Sequence, residues 1–250
     1  MNELTKISAV IITYNEAENI GRCLDSLQGV ADEIIIVDSF STDETKSICE
    51  RYGTTFLSKA FEGYSSSKNW GNNQAKFDVI LSLDADEALS EELHANVLAL
   101  KKIGFKNAYR INRLNFIGDT PLKNGGWYPD SKVRLFNKNI AEWENVPVHE
   151  TIKLNDNIAT ENLKGNLLHY SFSSLADHLL TINKYSSLRV KRVLEKKKSY
   201  HFIGSLIKAK FKFFKMYIIK LGFLDGKLGY YAAINSALRH IIEYGKFKLI

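Results

Sequence analysis

Over roughly its first 100 residues the chain alternates short, β-branched apolar runs with segments of helical spacing, and few folds accept that pattern. Lys6–Thr13 (Lys-Ile-Ser-Ala-Val-Ile-Ile-Thr) reads as a buried parallel strand, with Asn15 as a capping residue and a helical pattern through Leu27. The same spacing predicts a strand over Glu33–Asp38, a helix over Thr42–Tyr52, a strand over Thr54–Ser58, a helix over Ser65–Ala75 and a strand over Asp78–Leu83. Ser90-Glu91-Glu92 then opens a helix toward Lys101. Strands covered on both faces need continuous apolar runs rather than in–out alternation. The expectation is an α/β fold with a mostly parallel central sheet flanked by helices.

In such sheets ligands bind beyond the carboxyl ends of the strands. Three polar loops share that edge: Thr13-Tyr14-Asn15-Glu16, Asp38-Ser39-Phe40-Ser41-Thr42-Asp43 and Asp84-Ala85-Asp86-Glu87. Asp84 and Asp86 leave the end of a buried strand with one small residue between them. Hard carboxylate oxygens in that spacing suit Mg²⁺ or Mn²⁺, with coordination positions left for phosphate oxygens. The plainer reading is an acidic helix N-terminus. Asp38 also ends a buried strand, and Ser39, Ser41, Thr42 and Asp43 offer hydroxyls and carboxylates to a ribose or base edge, or cap the next helix. Tyr14 is placed to stack on a base or to pack.

From Asn107 to about Tyr170 the alternation gives way to short strand-like pieces, which read as an acceptor-side extension of the sheet at about 105–172. The loop Lys123-Asn124-Gly125-Gly126-Trp127-Tyr128-Pro129-Asp130 offers two aromatics, either as a platform under a sugar ring or as packing. Beyond Ser173 helical spacing dominates, with Ser173 or Ser174 as a cap and further helices at about 202–221 and 227–245. The expected division is a catalytic domain over 1–172 and a helical, basic region over 173–250.

Charge changes at the same place. From Lys184 to Ile250 there are 16 Lys+Arg against three acids, a balance of +13, whereas residues 1–183 hold 18 against 25, a balance of −7. Lysines interleaved with Phe, Ile and Leu, without an uncharged run long enough to span a bilayer, predict peripheral attachment to an anionic membrane surface. Solvated lysines on packed helices are the plainer alternative. Nucleic-acid binding is disfavoured by the acidic first part and the lack of a recognisable motif. Acidic Glu3 and the absence of a long apolar N-terminal segment predict a cytoplasmic protein, and Cys23 and Cys49 read as reduced thiols.

Four ordered motifs resemble those of glycosyltransferase family 2: Ala9-Val10-Ile11-Ile12-Thr13-Tyr14-Asn15-Glu16, Ile36-Val37-Asp38-Ser39-Phe40-Ser41-Thr42-Asp43-Glu44-Thr45, Ser67-Lys68-Asn69-Trp70-Gly71 and Leu83-Asp84-Ala85-Asp86-Glu87. A longer similarity, through Gly125-Gly126-Trp127-Tyr128-Pro129-Asp130, Arg134-Leu135-Phe136, Val148-His149-Glu150 and Gly222-Phe223-Leu224-Asp225-Gly226, is to bacterial lipopolysaccharide inner-core β-1,4-glucosyltransferases. The resemblance implies a GT-A fold, a nucleoside-diphosphate sugar donor, usually UDP-linked, and inverting transfer of a hexose such as glucose to a lipid-linked saccharide acceptor. Thr13, Tyr14, Glu16 and Asp38 would hold the nucleoside, Lys68 would approach donor phosphate or ribose, and Asp84 and Asp86 would bind sugar and metal.

Inverting transfer needs a base for the acceptor hydroxyl and stabilisation of the departing diphosphate. The Glu-Asp pair that carries the base in many family members is missing here, which leaves Asp130 and Glu150 as candidates. His149 is a candidate for the metal shell or the acceptor. A nucleotidyltransferase, or a non-catalytic nucleotide-sugar or membrane-binding module, are the competing functions.

Overall fold

The computed structural model describes residues 4–144, 151–197 and 199–249. His149 and Glu150 lie outside the described residues. Strands β1 (Ile7–Thr13), β2 (Glu33–Asp38), β3 (Thr55–Ser58) and β4 (Val79–Asp84) lie in the order β3-β2-β1-β4, and every pairing among them is parallel. Alternate side chains of β1 serve two separate cores. Ile7, Ala9 and Ile11 join Ile36, Leu81 and Leu83, while Val10 joins Ile35, Val37 and Ile80. Burial on both faces is why this strand shows no polar alternation.

The connecting helices are α1 (Ile20–Ser26), α2 (Thr45–Arg51), α3 (Tyr64–Gln74) and α4 (Glu91–Ile103). Ile20, Cys23 and Leu24 of α1, Cys49 of α2 and Leu93 and Val97 of α4 enter the first of those cores. Both cysteines are free and buried, and burial holds their thiols above the ordinary range, Cys49 at about 12. Helix α3 covers the opposite face. A Cβ on Gly71 would fall 2.6 Å from Val10 Cγ1 and 2.7 Å from Val37 Cγ2, so α3 approaches β1 and β2 this closely only because residue 71 is glycine. The predicted opening of α4 holds, as Ser90 Oγ accepts the Leu93 N–H.

Beyond β4 the sheet changes character. Strands β5 (Glu87–Leu89), β6 (Ala108–Ile117), β7 (Thr120–Leu122), β8 (Asp130–Asn137) and β11 (Thr160–Phe172) extend it in the order β4-β8-β6-β11-β5, with β7 on β6. β8 runs antiparallel to β4, β7 to β6 and β5 to β11. The parallel expectation therefore applies to the strand–helix alternation, and the extension read over 105–172 is antiparallel. A separate antiparallel pair, β9 (Ala141–Trp143) and β10 (Ile152–Leu154), is tied to α3, where Asn69 Nδ2 donates to Trp143 O and Asn69 Oδ1 accepts the Trp143 N–H.

The chain packs as two compact units, one formed by the residues up to Arg113 with Ser131–His169, the other by Leu114–Asp130 with the residues from Tyr170 onward. The second holds α5 (Leu175–Glu195), α6 (Phe202–Phe214), a π-helical turn at Lys215–Ile219, a 3₁₀ turn at Gly222–Asp225 and α7 (Gly226–Lys248). Ser174 caps α5 by accepting the Asp177 N–H. The glycine-rich loop belongs to this unit because Asp225 anchors it: Oδ2 accepts the Asn124 N–H at 2.8 Å and Oδ1 accepts Asn124 Nδ2 at 2.7 Å. Trp127 packs edge-on against Phe172 and His178. Among the described residues no helix is long and apolar enough to cross a membrane.

Candidate active site

The geometry converges on the end of β4. Asp84 Oδ1 lies 2.9 Å from Lys68 Nζ, and Asp84 Oδ2 lies 2.8 Å from Arg134 Nη2. Lys68 comes from α3 and Arg134 from β8, and their side chains are 2% and 3% exposed. Cations so deeply buried require partners. The Lys68 ammonium also sits over the Trp143 ring, 4.5 Å from its centroid. Arg134 Nη2 reaches Glu87 Oε1 at 2.7 Å, Arg113 Nη1 approaches the same oxygen at 3.5 Å, and Glu87 Oε2 accepts the Asp84 N–H at 3.0 Å. The carboxylates of Asp84 and Glu87 and the cations of Lys68, Arg113 and Arg134 form one network.

Burial alone would raise the Asp84 pKa, but the Arg134 and Lys68 charges outweigh it and hold the carboxyl well below the usual carboxylate range. Glu87 shifts the other way. Its complete burial and the Asp84 and Asp86 charges raise its pKa against the opposing pull of Arg134 and His169. Glu16 is also raised, by burial first and then by the Asp86, Asp43 and Asp84 charges, against a hydrogen bond from Asn19. Perturbed carboxylates therefore gather at this end of the sheet, Asp84 under the pull of two cations and Glu87 and Glu16 chiefly through burial.

Asp86 has a different partner. Its Oδ2 lies 3.1 Å from His169 Nε2, on β11, and it remains 24% exposed. A carboxylate oxygen and an imidazole nitrogen side by side can hold a divalent cation. Among the described residues no cluster of three or more His, Cys, Asp or Glu side chains is arranged for a metal. Two protein ligands suit a cation that takes its remaining ligands from a diphosphate and water.

The first two loops are laced to each other. Asp38, 3% exposed, accepts the N–H and the hydroxyl of Ser41, whose Oγ accepts the Asn15 N–H at 2.8 Å. Asn15 Oδ1 accepts the Thr42 N–H, the Glu16 N–H donates to Thr45 Oγ1, and the Ala17 N–H donates to Asp43 Oδ2. Asn15 is therefore a loop brace with a left-handed backbone (φ 54°) rather than the cap of α1, which begins at Ile20. Ser41 and Thr42 likewise precede α2 without capping it, and Asp43 Oδ1 accepts the Thr45 N–H. Tyr14 is 58% exposed, its ring open to a stacking partner, and Thr13 is buried at the strand end.

The description "Glycosyl transferase family 2" matches residues 8–157. An uncharacterized glycosyltransferase of Rickettsia bellii (strain RML369-C) is 31% identical over 99% of this chain and 88% of its own length. The chain belongs to glycosyl transferase family 2. A lipopolysaccharide core biosynthesis glycosyltransferase, LpsC, of Rhizobium meliloti (strain 1021) is 27% identical over 96% of this chain and 91% of its own length. Glucosyl-3-phosphoglycerate synthase from Mycobacterium tuberculosis, solved with Mn²⁺, UDP and glucosyl-3-phosphoglycerate, covers 45% of this chain and 44% of its own, with 19% identity and a TM-score of 0.38.

Within this family 2 chain the residues expected from sequence are distributed unevenly. Asp84, Asp86, Lys68 and Glu16 share one electrostatic neighbourhood, and Thr13, Tyr14 and Asp38 stand on the same strand-end edge. Lys68, expected to approach donor phosphate or ribose, has a side chain that is 2% exposed, with its ammonium 2.9 Å from Asp84 Oδ1. Asp84 in turn is held by two cations, which leaves Asp86 as the carboxylate paired with a histidine. Asp130 is the first residue of β8 and belongs to the second unit. Four residues were not singled out from sequence: His169, Arg134, Glu87 and Arg113. Arg134 carried a signal, a lone cation opening Arg134-Leu135-Phe136, and Glu87 adjoined Asp86. His169 carried none, because a histidine in a strand acquires meaning only from what lies across the sheet.

Proposed function

We propose that the chain is an inverting, divalent-cation-dependent hexosyltransferase that takes a hexose, glucose in the first instance, from a UDP-sugar. The proposed acceptor is a lipopolysaccharide-core or other lipid-linked saccharide at the cytoplasmic face of a membrane. The observation that carries the reading is the Asp86–His169 pair beside an Asp84 carboxylate clamped by Lys68 and Arg134. The relation to LpsC supports the acceptor class, and the basic second unit supports the membrane location.

In this reading the exposed Tyr14 ring stacks on the base while Thr13, Glu16 and Asp38 line the nucleoside seat. Asp86 and His169 would hold Mg²⁺ or Mn²⁺, which would neutralise charge on the diphosphate. Asp84 stays ionised and fixed by Lys68 and Arg134, so it would accept a sugar hydroxyl without reorganisation. The acceptor hydroxyl oxygen bonds to the sugar C1 as the C1–O bond to UDP breaks. Its proton passes to a carboxylate, for which Asp130 and Glu150 are the candidates.

The test is UDP release and sugar transfer across a panel of UDP-sugars with Mn²⁺, Mg²⁺ or chelator. Metal-dependent turnover that Asp86→Ala abolishes is expected. Absence of turnover with every donor, together with unchanged nucleotide binding in Asp86→Ala, overturns the proposal. Asp130→Asn and Glu150→Gln, compared for kcat at equal donor affinity, identify the base.

A further inference from the structure

Helix α6 is amphipathic in the reverse sense from a helix that merely covers a core. Its buried positions are small or polar, Ser205 at 4% and Ala209 at 7% exposed. Its large apolar side chains face outward: Ile203 is 70% exposed, Ile207 63%, Phe211 60%, with Phe202, Leu206 and Phe214 also exposed. At 100° per residue these six fall on one half of the helix, with Lys210 among them, Lys215 and Lys208 beyond the Phe211 edge and Lys212 on the opposite side. Beside this face an open cleft of about 310 Å³ runs between α6 and α7, lined by Ala209, Phe213, Tyr230, Leu238 and Ile241, with Lys210 at its edge. Exposed apolar patches of this kind mark binding surfaces.

The charge around the face decides what covers it. Between Ser199 and Leu249 the acids are Asp225 and Glu243. Asp225 is engaged with Asn124, and Glu243 is 1% exposed, facing Arg189, Arg239 and His240. Neither acid offsets the lysines of α6. Burial, with smaller contributions from the Arg239, Lys215 and Lys220 charges, holds Lys212 below its ordinary pKa. A second copy of the same face would bring like charges together. An anionic bilayer matches both features, since lysines meet lipid phosphates while apolar side chains enter the acyl boundary.

We propose that the outward face of α6, Phe202 through Phe214, is the element by which the chain docks onto an anionic lipid bilayer, with the α6–α7 cleft accepting part of an acyl chain. This deepens the membrane location proposed above and rests on it. Flotation needs neither donor nor acceptor, so its outcome is independent of the transfer assay.

The full chain is floated with phosphatidylcholine vesicles with and without about a third phosphatidylglycerol, at low and high salt. Binding to the anionic vesicles, weakened by salt, is expected, with at least an about tenfold loss of partitioning in Ile207→Glu/Phe211→Glu. Both side chains point outward, so the thermal unfolding midpoint and UDP binding of the variant should match those of the parent. An environment-sensitive dye on Ile207→Cys, which the buried Cys23 and Cys49 leave selectively reactive, should shift to the blue on anionic vesicles only. Absence of flotation, or flotation unchanged in the double variant, overturns the proposal. So does a concentration-dependent dimer that the double variant dissolves, which would assign the face to a second copy.

Discussion

Asp86 Oδ2 lies 3.1 Å from His169 Nε2, although 83 positions separate the two residues in the chain. Paired with the antiparallel β5–β11 register, in which His169 stands opposite Glu87, this contact links the loop after β4 to a strand far downstream. If the pair holds a divalent cation, Asp86→Asn and His169→Ala should each weaken Mn²⁺ affinity by about 10- to 100-fold, measured by titration calorimetry in the presence of UDP. UDP binding in chelator should be the same in both variants as in the parent.

The Asp84 clamp makes a separate prediction. Asp84→Asn keeps the shape but takes the counter-ion from the buried Lys68 and one of the two carboxylates from Arg134, which keeps Glu87. A loss of about 3 kcal/mol is expected in urea unfolding, because removing one member of a buried ion network strands the others. Lys68→Met should cost less, since its apolar stem still packs under Trp143 while Arg134 still holds Asp84. Equal losses in the two variants would refute this account.

Glu87 and Asp84 should impress opposite pH trends on stability. The depressed Asp84 pKa contributes stability that is present above the unfolded carboxylate value, near ~3.9, and is lost as pH falls through the lower folded value. Glu87 has a raised folded pKa. Its contribution is fully present below the unfolded value, near ~4.3, and disappears as pH rises through the higher folded value. Thermal unfolding of the parent and of Glu87→Gln from about pH 4 to 8 should therefore show the difference moving against the parent as pH rises.

Gly71→Ala should destabilise, against the usual preference for alanine inside a helix. The added methyl would meet Val10 and Val37 at 2.6 and 2.7 Å, and overpacking of this kind costs about 1–3 kcal/mol. Pairing it with Val37→Ala should recover part of the loss, as a double-mutant cycle in urea unfolding would show.

Much of the fold was legible because it depends on local rules. Apolar runs such as Ala9-Val10-Ile11-Ile12 announce a strand buried on both faces, and the capping serines Ser90 and Ser174 mark helix starts from chemistry confined to three or four residues. Where tertiary contacts compete, local signals mislead. Asn15 looks like a cap, yet its side chain takes the Thr42 N–H across 27 positions.

The candidate site divides in the same way. Sequence alone determined that Asp38, Asp84 and Asp86 stand at the carboxyl ends of strands in one sheet, because strand–helix alternation places those loops on one edge. Only the tertiary structure decided which carboxylate does what. Lys68 arrives from α3 and Arg134 from β8 to neutralise Asp84, while His169 arrives from β11 beside Asp86. Charge pairing acts over a few ångströms of space, and the linear chain carries no record of which residues folding will bring within that range.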